Sequence, residues 1–336
     1  MEGTRNRYVR LIDGEGGRAT SRLIEDVFLT RLGNPFLNPL TDSAVRDLTG
    51  KKYAFTTDSF VVDPVEFPGG DIGKLSICGT VNDLAAAGAK PVMLSASFIL
   101  EEGLELERLG GFVDSIADVS READVPVVCG DTKVVPRGGC DNLYITTAGV
   151  GEIVVDNVPA PQAICPGDFI AVSGTIGLHA SSIIALREGL KMDQPLKSDC
   201  APLANMVLAV LSSSIVHCMR DPTRGGLGGV LIELAAQSGT RFVIEEDKVP
   251  RDEVVSNICE LYGYDPMFMA CEGRMVFVFP EEYSVKLISE LRNSPYGREG
   301  AIIGRVESGE GVLIETRSGG IRRIVLPEGA PLPRIC

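Results

Sequence analysis

Apolar runs of strand length alternate with segments of helical spacing along the chain. Runs rich in β-branched and aromatic residues are typical of buried strands, whereas apolar residues spaced three and four apart are typical of helices. In the first half, this pattern predicts strands over 52–62, 91–100, 125–129 and 143–150. It also predicts a helix over 75–89, capped by Asp71, and a second helix over 106–119.

A proline-rich stretch, residues 156–168, is the best candidate for a domain boundary. Beyond it the pattern predicts helices over 179–189 and 228–239, and strands over 169–174, 241–244, 274–279, 301–306, 311–316 and 321–326. We therefore expect an α+β fold with two domains, residues 1–155 and 165–325, followed by a flexible tail, residues 326–336.

The formal net charge of −14 over 336 residues argues against non-specific binding to nucleic acid or to an anionic membrane. An anionic substrate would then need metal ions or a local cluster of positive groups. No apolar stretch follows the basic residues at the start, and no run approaches the roughly 18 apolar residues of a membrane span. We therefore expect a cytoplasmic protein.

The nine cysteines are scattered and include no C-x-x-C pair, and they show no zinc or iron–sulfur spacing. In a reducing compartment most of them are expected to be small buried hydrophobic residues. The only histidines, His179 and His217, lie far apart in sequence. This separation argues against a histidine-based metal site or a Ser-His-Asp triad, and it favours packing or capping roles.

Four aspartates occur where apolar segments meet loops, at Asp58, Asp83, Asp131 and Asp221, and a glycine-rich loop, D-G-E-G-G, spans 13–17. Carboxylate oxygens bind magnesium, and bare backbone N–H groups approach phosphates, so these are the residue types of a magnesium–nucleotide site. Turn chemistry also explains most of them singly. Asp83 is the exception, because it interrupts an apolar helical pattern and must be solvated, paired or metal-bound. Neither a Walker A loop nor a kinase signature is present.

Two further residues are candidates for proton transfer. Lys133 could pair with Asp131, contact a phosphate, donate a proton, or remain a solvated surface lysine. Glu272 lies between an apolar segment and a predicted strand, and burial would raise its pKa and make it a base. An ion pair between Glu272 and Arg274 is the simpler interpretation, and the local sequence favours it.

The chain ends in P-L-P-R-I-C, so its last side chain is the thiol of Cys336. Three prolines within the last ten residues favour an extended, helix-incompetent segment, which could reach roughly 30 Å. On these residues alone, a terminal cysteine could equally be an accident of the terminus.

Six blocks, in order over nearly the whole chain, resemble the HypE family of hydrogenase maturation factors, within the AIR-synthetase-like (PurM-like) superfamily. They are T-D-S-F-V-V-D-P, F-P-G-G-D-I-G-K-L-S-I-C-G-T-V-N-D-L, F-I-L-E-E-G, G-D-T-K-V-V, R-D-P-T-R-G-G-L and P-R-I-C. The F-P-G-G-x-I-G-K and P-R-I-C blocks are specific to this family, whereas the aspartates alone reach only the superfamily.

The resemblance implies a PurM-like two-domain α+β fold, with a homodimer in which the N-terminal sheets form a shared barrel. It implies that a carbamoyltransferase, HypF, places a carboxamide on the thiol of Cys336, and that ATP with Mg2+ is used to dehydrate it to a thiocyanate. The cyano group would pass to an iron-bearing HypC–HypD scaffold, as a cyanide ligand for [NiFe]-hydrogenase.

The resemblance also implies roles for individual residues. The catalytic residues would be Cys336, Lys133 and Glu272, and the metal ligands Asp58, Asp83 and Asp131. The nucleotide contacts would come from Gly16, Gly17, Asp58, Gly73, Lys74, Asn82, Asp83, Asp131, Thr132 and Asp221. Two loops depart from the family pattern, with Asp13 and Glu15 in place of H-G-x, and Leu178 and Ala180 in place of Asp and Gly.

Other functions remain open at this point. A selenophosphate synthetase would need a reactive cysteine near the glycine-rich start, but the first cysteine here is Cys78. An AIR synthetase or a thiamine-phosphate kinase would not explain P-R-I-C. A non-catalytic maturation scaffold, with Cys336 as a metal ligand or carrier, is the alternative from a different class.

Overall fold

The computed structural model describes residues 17–29, 38–41, 43–48, 50–327 and 334–336. Its strands are β1 (Ala44–Leu48), β2 (Lys51–Phe60), β3 (Glu66–Phe67), β4 (Gly70–Asp71), β5 (Ala89–Glu101), β6 (Val127–Val135), β7 (Leu143–Ile153), β8 (Asp168–Val172), β9 (Cys218–Arg220), β10 (Arg241–Glu245), β11 (Val276–Pro280), β12 (Ala301–Glu307), β13 (Gly311–Glu315) and β14 (Ile321–Ile324). Its α-helices are α1 (Gly17–Leu23), α2 (Ile72–Ala86), α3 (Leu106–Glu122), α4 (Leu178–Arg187), α5 (Ala204–Leu211), α6 (Gly226–Ser238), α7 (Glu253–Tyr262) and α8 (Ser284–Asn293). A π-helical segment, Ile24–Leu29, continues α1.

The N-terminal half contains a five-stranded sheet in the order β1-β2-β7-β5-β6. Strands β2, β7 and β5 pair antiparallel, whereas β6 pairs with β5 in parallel and forms one edge. Alternate residues of the sheet face α2, and the other face is open, with Phe55 53% and Ile99 42% exposed.

Helix α2 lies at the centre of the molecule and is buried on nearly every side. Its sequence is apolar all round, as expected for a helix without a solvent face. Asp71 caps its N-terminus by accepting a hydrogen bond from the Lys74 N–H at 2.9 Å, so the predicted cap is confirmed. Helices α3 and α5 pack against α2.

The C-terminal half contains a seven-stranded sheet in the order β14-β13-β10-β12-β8-β11-β9. Strand β11 is buried on both faces: Val276 and Val278 belong to the core beneath α6, and Phe277 and Phe279 belong to the core shared with α2. The core shared with α2 contains residues of both halves, so we call it the joining core. It also includes Ile335 of the tail.

All of the strands and helices predicted from periodicity are present, most within a few residues of the predicted bounds, although β6 ends six residues later than predicted, at Val135. The elements without a prediction are β1, β3, β4, β9, α1 with its π-helical continuation, α5, α7 and α8. None of the described helices has the length and apolar character needed to cross a membrane.

Candidate active site

The last three residues lie against the end of β2. The Val61 N–H donates a 3.0 Å hydrogen bond to a backbone oxygen of Cys336, and the Asp63 N–H donates one of 3.2 Å to the Arg334 carbonyl. Ile335, between them, is only 5% exposed and packs into the core that joins the two halves. The terminus is therefore docked in this structure, and Cys336 is half-buried against the same core.

His179 holds the docked tail from the other side. Its Nε2 lies 2.6 Å from the Ile335 carbonyl oxygen, and its Nδ1 lies 2.8 Å from Ser198 Oγ. Ser198 Oγ also accepts the Cys200 N–H at 3.0 Å, so its own proton is available for His179 Nδ1. Since a carbonyl can only accept, Nε2 carries the proton of a neutral imidazole. Complete burial lowers the pKa of His179 and keeps it neutral.

Two arginines fix the backbone of the tail. Arg187, at the end of α4, donates to the Arg334 carbonyl through Nη2 at 2.7 Å and to the Asp63 carbonyl through Nε at 2.7 Å. Arg334 donates through Nε to the Val61 carbonyl at 3.0 Å and pairs with Asp141 at 2.7 Å. The side chain that precedes Ile-Cys in the P-R-I-C block therefore has a positioning role, which the sequence did not reveal.

The thiol of Cys336 lies among charged groups from both halves of the chain. Burial raises its pKa to about 12, and the Glu272 carboxylate is the strongest charge acting in the same direction. The guanidinium of Arg224 opposes this shift, while Asp58 and Asp221 add to it. An unmodified docked thiol is therefore uncharged at neutral pH.

Arg224 is the cation of this cluster, although no local pattern in the sequence indicates that role. Cys336, followed by the carboxylates of Asp58, Glu272 and Asp83, raises the pKa of Arg224, and burial opposes this shift. Arg224 lies in the loop that leads from β9 into α6, just before Gly226. A Cβ on Gly226 would lie 2.6 Å from the Met269 carbonyl oxygen, so the loop can pack this closely only with glycine there.

Glu272 is buried at 3% exposure, and burial raises its pKa well above the ordinary glutamate value. Its Oε1 has no hydrogen-bond partner among the described residues. The ion pair with Arg274 that the local sequence favours is wrong. Arg274 instead lies 3.7 Å from Asp199 and donates to the Thr175 carbonyl. The Oε1 atom of Glu272 is thus buried without a structural partner among the described residues.

Asp58 and Asp83 approach the same part of α2. The Asp58 side chain lies on the face of β2 that packs against α2, where a Cβ on Gly79 would be 3.4 Å from Asp58 Oδ2. Asp83 lies one helical turn beyond Gly79, and it accepts a 2.7 Å hydrogen bond from Thr56 Oγ1. The structure therefore brings these two predicted metal ligands to one region, and Asp221, 7% exposed, acts on the same thiol.

The predicted ligand Asp131 lies elsewhere. It is exposed on edge strand β6 and pairs with Lys133 on the same face of the strand, and that pairing lowers its pKa. Residue pairing places this face opposite to the face that carries Asp58. Thr132 is exposed on the same strand. Within one described chain, Asp131 and Lys133 do not join the cluster around Cys336.

Three other predicted nucleotide contacts make structural contacts here. Asn82 is buried, where its Nδ2 donates to the Ala201 carbonyl at 3.1 Å and its Oδ1 accepts the Leu203 N–H at 2.7 Å. A Cβ on Gly73 would lie 2.2 Å from the Phe112 carbonyl oxygen, so this glycine lets α2 and α3 touch. Lys74 Nζ donates to the Gly69 carbonyl at 2.9 Å. Their contacts with a nucleotide remain predictions.

The glycine-rich loop is only partly described. Asp13, Glu15 and Gly16 lie outside the described residues, while Gly17 begins α1 and the next residue, Arg18, donates its N–H to the Pro327 carbonyl.

The second departure from the family pattern fits its surroundings. Leu178 packs against the joining core, and Ala180 is buried at 1% exposure. Its N–H donates to the Ala270 carbonyl at 3.2 Å. The loop before His179 is therefore intact without the expected Asp and Gly.

Known protein families match both halves of the chain. The models of the AIR synthase related protein N-terminal domain and C-terminal domain match residues 40–153 and 165–315. Carbamoyl dehydratase HypE from Azotobacter vinelandii is 45% identical over 335 residues, which cover 99% of this chain and 98% of that protein.

Two solved structures extend the similarity to three dimensions. A chain of the HypE–HypF complex has a TM-score of 0.86 at 40% identity, covering 91% of this chain and 99% of that chain. The hydrogenase maturation protein HypE in complex with ATP has a TM-score of 0.82 at 44% identity, covering 98% and 100%. Since the similarity spans both domains and nearly the full length of these relatives, the chain belongs to the HypE family of AIR synthase related proteins.

Proposed function

We propose that this protein is an ATP-dependent carbamoyl dehydratase that acts on an S-carboxamide carried by its own Cys336, in hydrogenase maturation. The observation that carries the proposal is the docked terminus, which places a thiol among Glu272, Arg224, Asp58 and Asp221. The names of the relatives and the ATP complex of one of them agree with this reaction.

The reaction balances without any redox partner. The carboxamide oxygen attacks the γ-phosphorus of ATP, ADP leaves, and the oxygen becomes part of a phosphate leaving group. The two N–H protons are then lost as the C–O bond breaks, which gives S–C≡N and inorganic phosphate. One proton finishes on the phosphate and the other is released. ATP thus removes the elements of water from a group whose oxygen is otherwise a poor leaving group.

Glu272 is our candidate for the base that removes an N–H proton. A carboxylate in an apolar site has a raised pKa and accepts a proton more readily than one in water. The charged guanidinium of Arg224 is suited to stabilise negative charge on the transferring phosphoryl group.

The residues present fit a magnesium ion. Asp58 and Asp83 offer hard carboxylate oxygens on either side of Gly79, and Mg2+ is usually held by one or two carboxylates together with substrate phosphates. The ion would neutralise the phosphate charge beside these carboxylates.

The tail must leave this site to be modified. The docked Cys336 is half-buried and uncharged, so a carbamoyltransferase such as HypF would meet it only after release. Tethering then returns the modified thiol at a high effective concentration. The thiocyanate would leave by the same movement to reach an iron-bearing HypC–HypD scaffold. One relative is known in a complex with HypF.

We further propose a homodimer that covers the open face and the β6 edge of the N-terminal sheet. Strand β6 is a nine-residue edge strand with exposed Val128 and Val134, at 55% and 67%, which an isolated subunit would leave as a site for aggregation. Asp131 and Lys133 project from the same strand. In the dimer they would serve the partner's nucleotide site, which reconciles their predicted roles with their distance from Cys336. We place the reaction in the cytoplasm, where nine free cysteines remain reduced.

Mass spectrometry of the C-terminal peptide tests the proposal. After incubation with the carbamoyltransferase and its donor, Cys336 should carry a carboxamide, which loses the mass of one water only when Mg-ATP is added. If the carboxamide persists with Mg-ATP, the dehydratase is excluded and a carrier or scaffold remains. Cys336→Ala should abolish both adducts and leave ATP binding unchanged.

A further inference from the structure

A second cluster of reactive side chains lies in the C-terminal half, on elements that contribute none of the residues around Cys336. Cys165 precedes β8, Asp168 begins β8, and His217 immediately precedes β9. One thiol sulfur, one carboxylate oxygen and one imidazole nitrogen from these residues all lie within 4.8 Å of one another. Among the described residues this is the only group of three or more such side chains with that property.

The carboxylate of Asp168 is the centre of the cluster. His217 Nδ1 lies 2.8 Å from Asp168 Oδ2, and the Cys165 thiol lies 3.5 Å from Asp168 Oδ1. The Cys165 N–H also donates to Oδ2, at 3.0 Å. The thiol and the imidazole therefore both face the carboxylate. In a catalytic triad the sulfur would instead face the imidazole nitrogen that does not contact the carboxylate, so this cluster is not arranged as a triad.

The backbone holds the three side chains in place. Asp168 pairs with Pro280 at the end of β11, and the His217 N–H donates to the Val278 carbonyl at 2.8 Å, so one strand positions both residues. Asp168 is 3% exposed, and the His217 side chain is 23% exposed. Cys165 is exposed, which leaves one side of the cluster open to water.

We propose that Cys165, Asp168 and His217 form a binding site for a zinc-class divalent cation, with water as the fourth ligand. Mixed nitrogen, oxygen and sulfur donors suit Zn2+, which binds tetrahedrally and accepts all three. A thiolate and a carboxylate together neutralise the two charges of the ion, while the imidazole binds as a neutral ligand. On binding, the thiol proton is released to solvent.

The spacing of these three residues in the sequence matches no metal-binding motif, and only the fold brings them together. Cys165 and Asp168 are three residues apart in a turn, whereas His217 reaches them across the end of β11. The proposal departs from the packing or capping role that the sequence favours for His217. Because β9 runs from His217 towards Asp221, bound metal would brace the strand that leads into the Asp221–Arg224 loop.

Metal titration of the full chain tests the proposal. In a Cys336→Ala background, which removes the terminal thiol as a competing ligand, Co2+ should bind with a thiolate-to-cobalt absorption band, and Zn2+ should displace it at one equivalent. Cys165→Ser should remove the band and weaken Zn2+ binding at least about tenfold. Cys129→Ser is the matched control, since Cys129 is also exposed. It should leave the cobalt band and the Zn2+ affinity unchanged.

A thermal-stability measurement gives a second readout. Zn2+ should raise the melting temperature of the Cys129→Ser control but not of Cys165→Ser or His217→Gln, because a ligand that binds only the folded state stabilises it. Retention of the cobalt band in Cys165→Ser, or no Zn2+ binding in the background chain, would overturn the proposal.

Discussion

The Nε2 of His179 lies 2.6 Å from the carbonyl oxygen of Ile335, one residue before the terminal thiol. A neutral imidazole from the C-terminal half thus holds the tail, while the Val61 and Asp63 N–H groups hold it from the N-terminal half. Docking of the tail therefore depends on the two halves together. The contacts that position Cys336 go mainly to its backbone and that of its neighbours, so a modified sulfur can use the same contacts.

We expect His179→Ala to release the tail more often. Loss of one buried hydrogen bond of about 1 kcal/mol would increase the released population about fivefold. Because the docked thiol is protonated, alkylation of Cys336 occurs through the released state, so its rate should rise by a similar factor. Peptide mass spectrometry measures this rate at Cys336 alone.

The matched variant is His179→Gln, whose amide N–H can replace the donor to Ile335. Its alkylation rate should lie between those of the parent and His179→Ala. An unchanged rate in His179→Ala, with the melting temperature showing a folded chain, would mean that His179 does not hold the tail.

Glu272→Gln should separate catalysis from stability. Removing the proposed base should slow dehydration of the Cys336 carboxamide by roughly 10²–10⁴-fold. The isosteric amide carries no charge to desolvate, so the melting temperature should not fall. Single-turnover conversion followed by mass spectrometry, alongside thermal unfolding, gives both quantities. Full activity in this variant would transfer the role of the base to another residue.

The raised pKa of Glu272 predicts opposite effects of pH on rate and stability. Dehydration should accelerate as pH rises through this pKa, because only the carboxylate accepts a proton. The Glu272 carboxyl group holds its proton more tightly in the folded chain than in the unfolded chain, where its pKa is the ordinary 4.5. Protonation of Glu272 therefore stabilises the folded chain, and this contribution to the free energy of unfolding is lost as the pH rises from 4.5 to the folded pKa. Both pH dependences should disappear in Glu272→Gln. Profiles of rate and melting temperature against pH measure them.

The sequence predicted the strands of both sheets more completely than the helices, and it missed α7 and α8 even though their buried residues have helical spacing. Asp71 and the strand runs gave β2, β5, β7 and α2, because caps and apolar spacing are local signals. Helix α5, A-N-M-V-L-A-V-L, is short and almost wholly apolar, so its period cannot be read.

Some residues of the candidate site could be found from local sequence, and others only from the fold. Asp58, Asp83 and Glu272 carry local signals; Asp58 and Glu272 lie near Cys336, and Asp83 lies near Arg224. Arg224, Arg187 and His179 contribute through contacts between distant segments, which no local pattern contains. The separation of Asp131 from Asp58 depends on strand pairing, so it too required the fold.

Asp83→Asn should impair the ATP-dependent step alone. A neutral amide beside Asp58 binds Mg2+ more weakly, so dehydration should require more magnesium, at least about tenfold. Carbamoylation of Cys336 should be unchanged, because it occurs on the released tail. Asp118→Asn, an exposed aspartate paired with Arg121, is the control. Removal of magnesium with a chelator should stop dehydration in both proteins, and equal magnesium dependence in them would remove Asp83 from the metal site.

Val134→Glu should dissociate the proposed dimer. Val134 is 67% exposed on edge strand β6, and a carboxylate buried in an apolar interface loses its hydration without a partner. We expect the dimer dissociation constant to rise at least about tenfold, equivalent to about 1.4 kcal/mol. Val285→Glu on α8, at 86% exposure, is the matched control and should stay dimeric. Light scattering across a dilution series measures the dissociation constant. The rate of dehydration should fall as the dimer dissociates, because Asp131 and Lys133 would no longer reach the partner's site. If Val134→Glu stays dimeric, the interface lies elsewhere. If it is monomeric and fully active, Asp131 and Lys133 have no role in the partner's site.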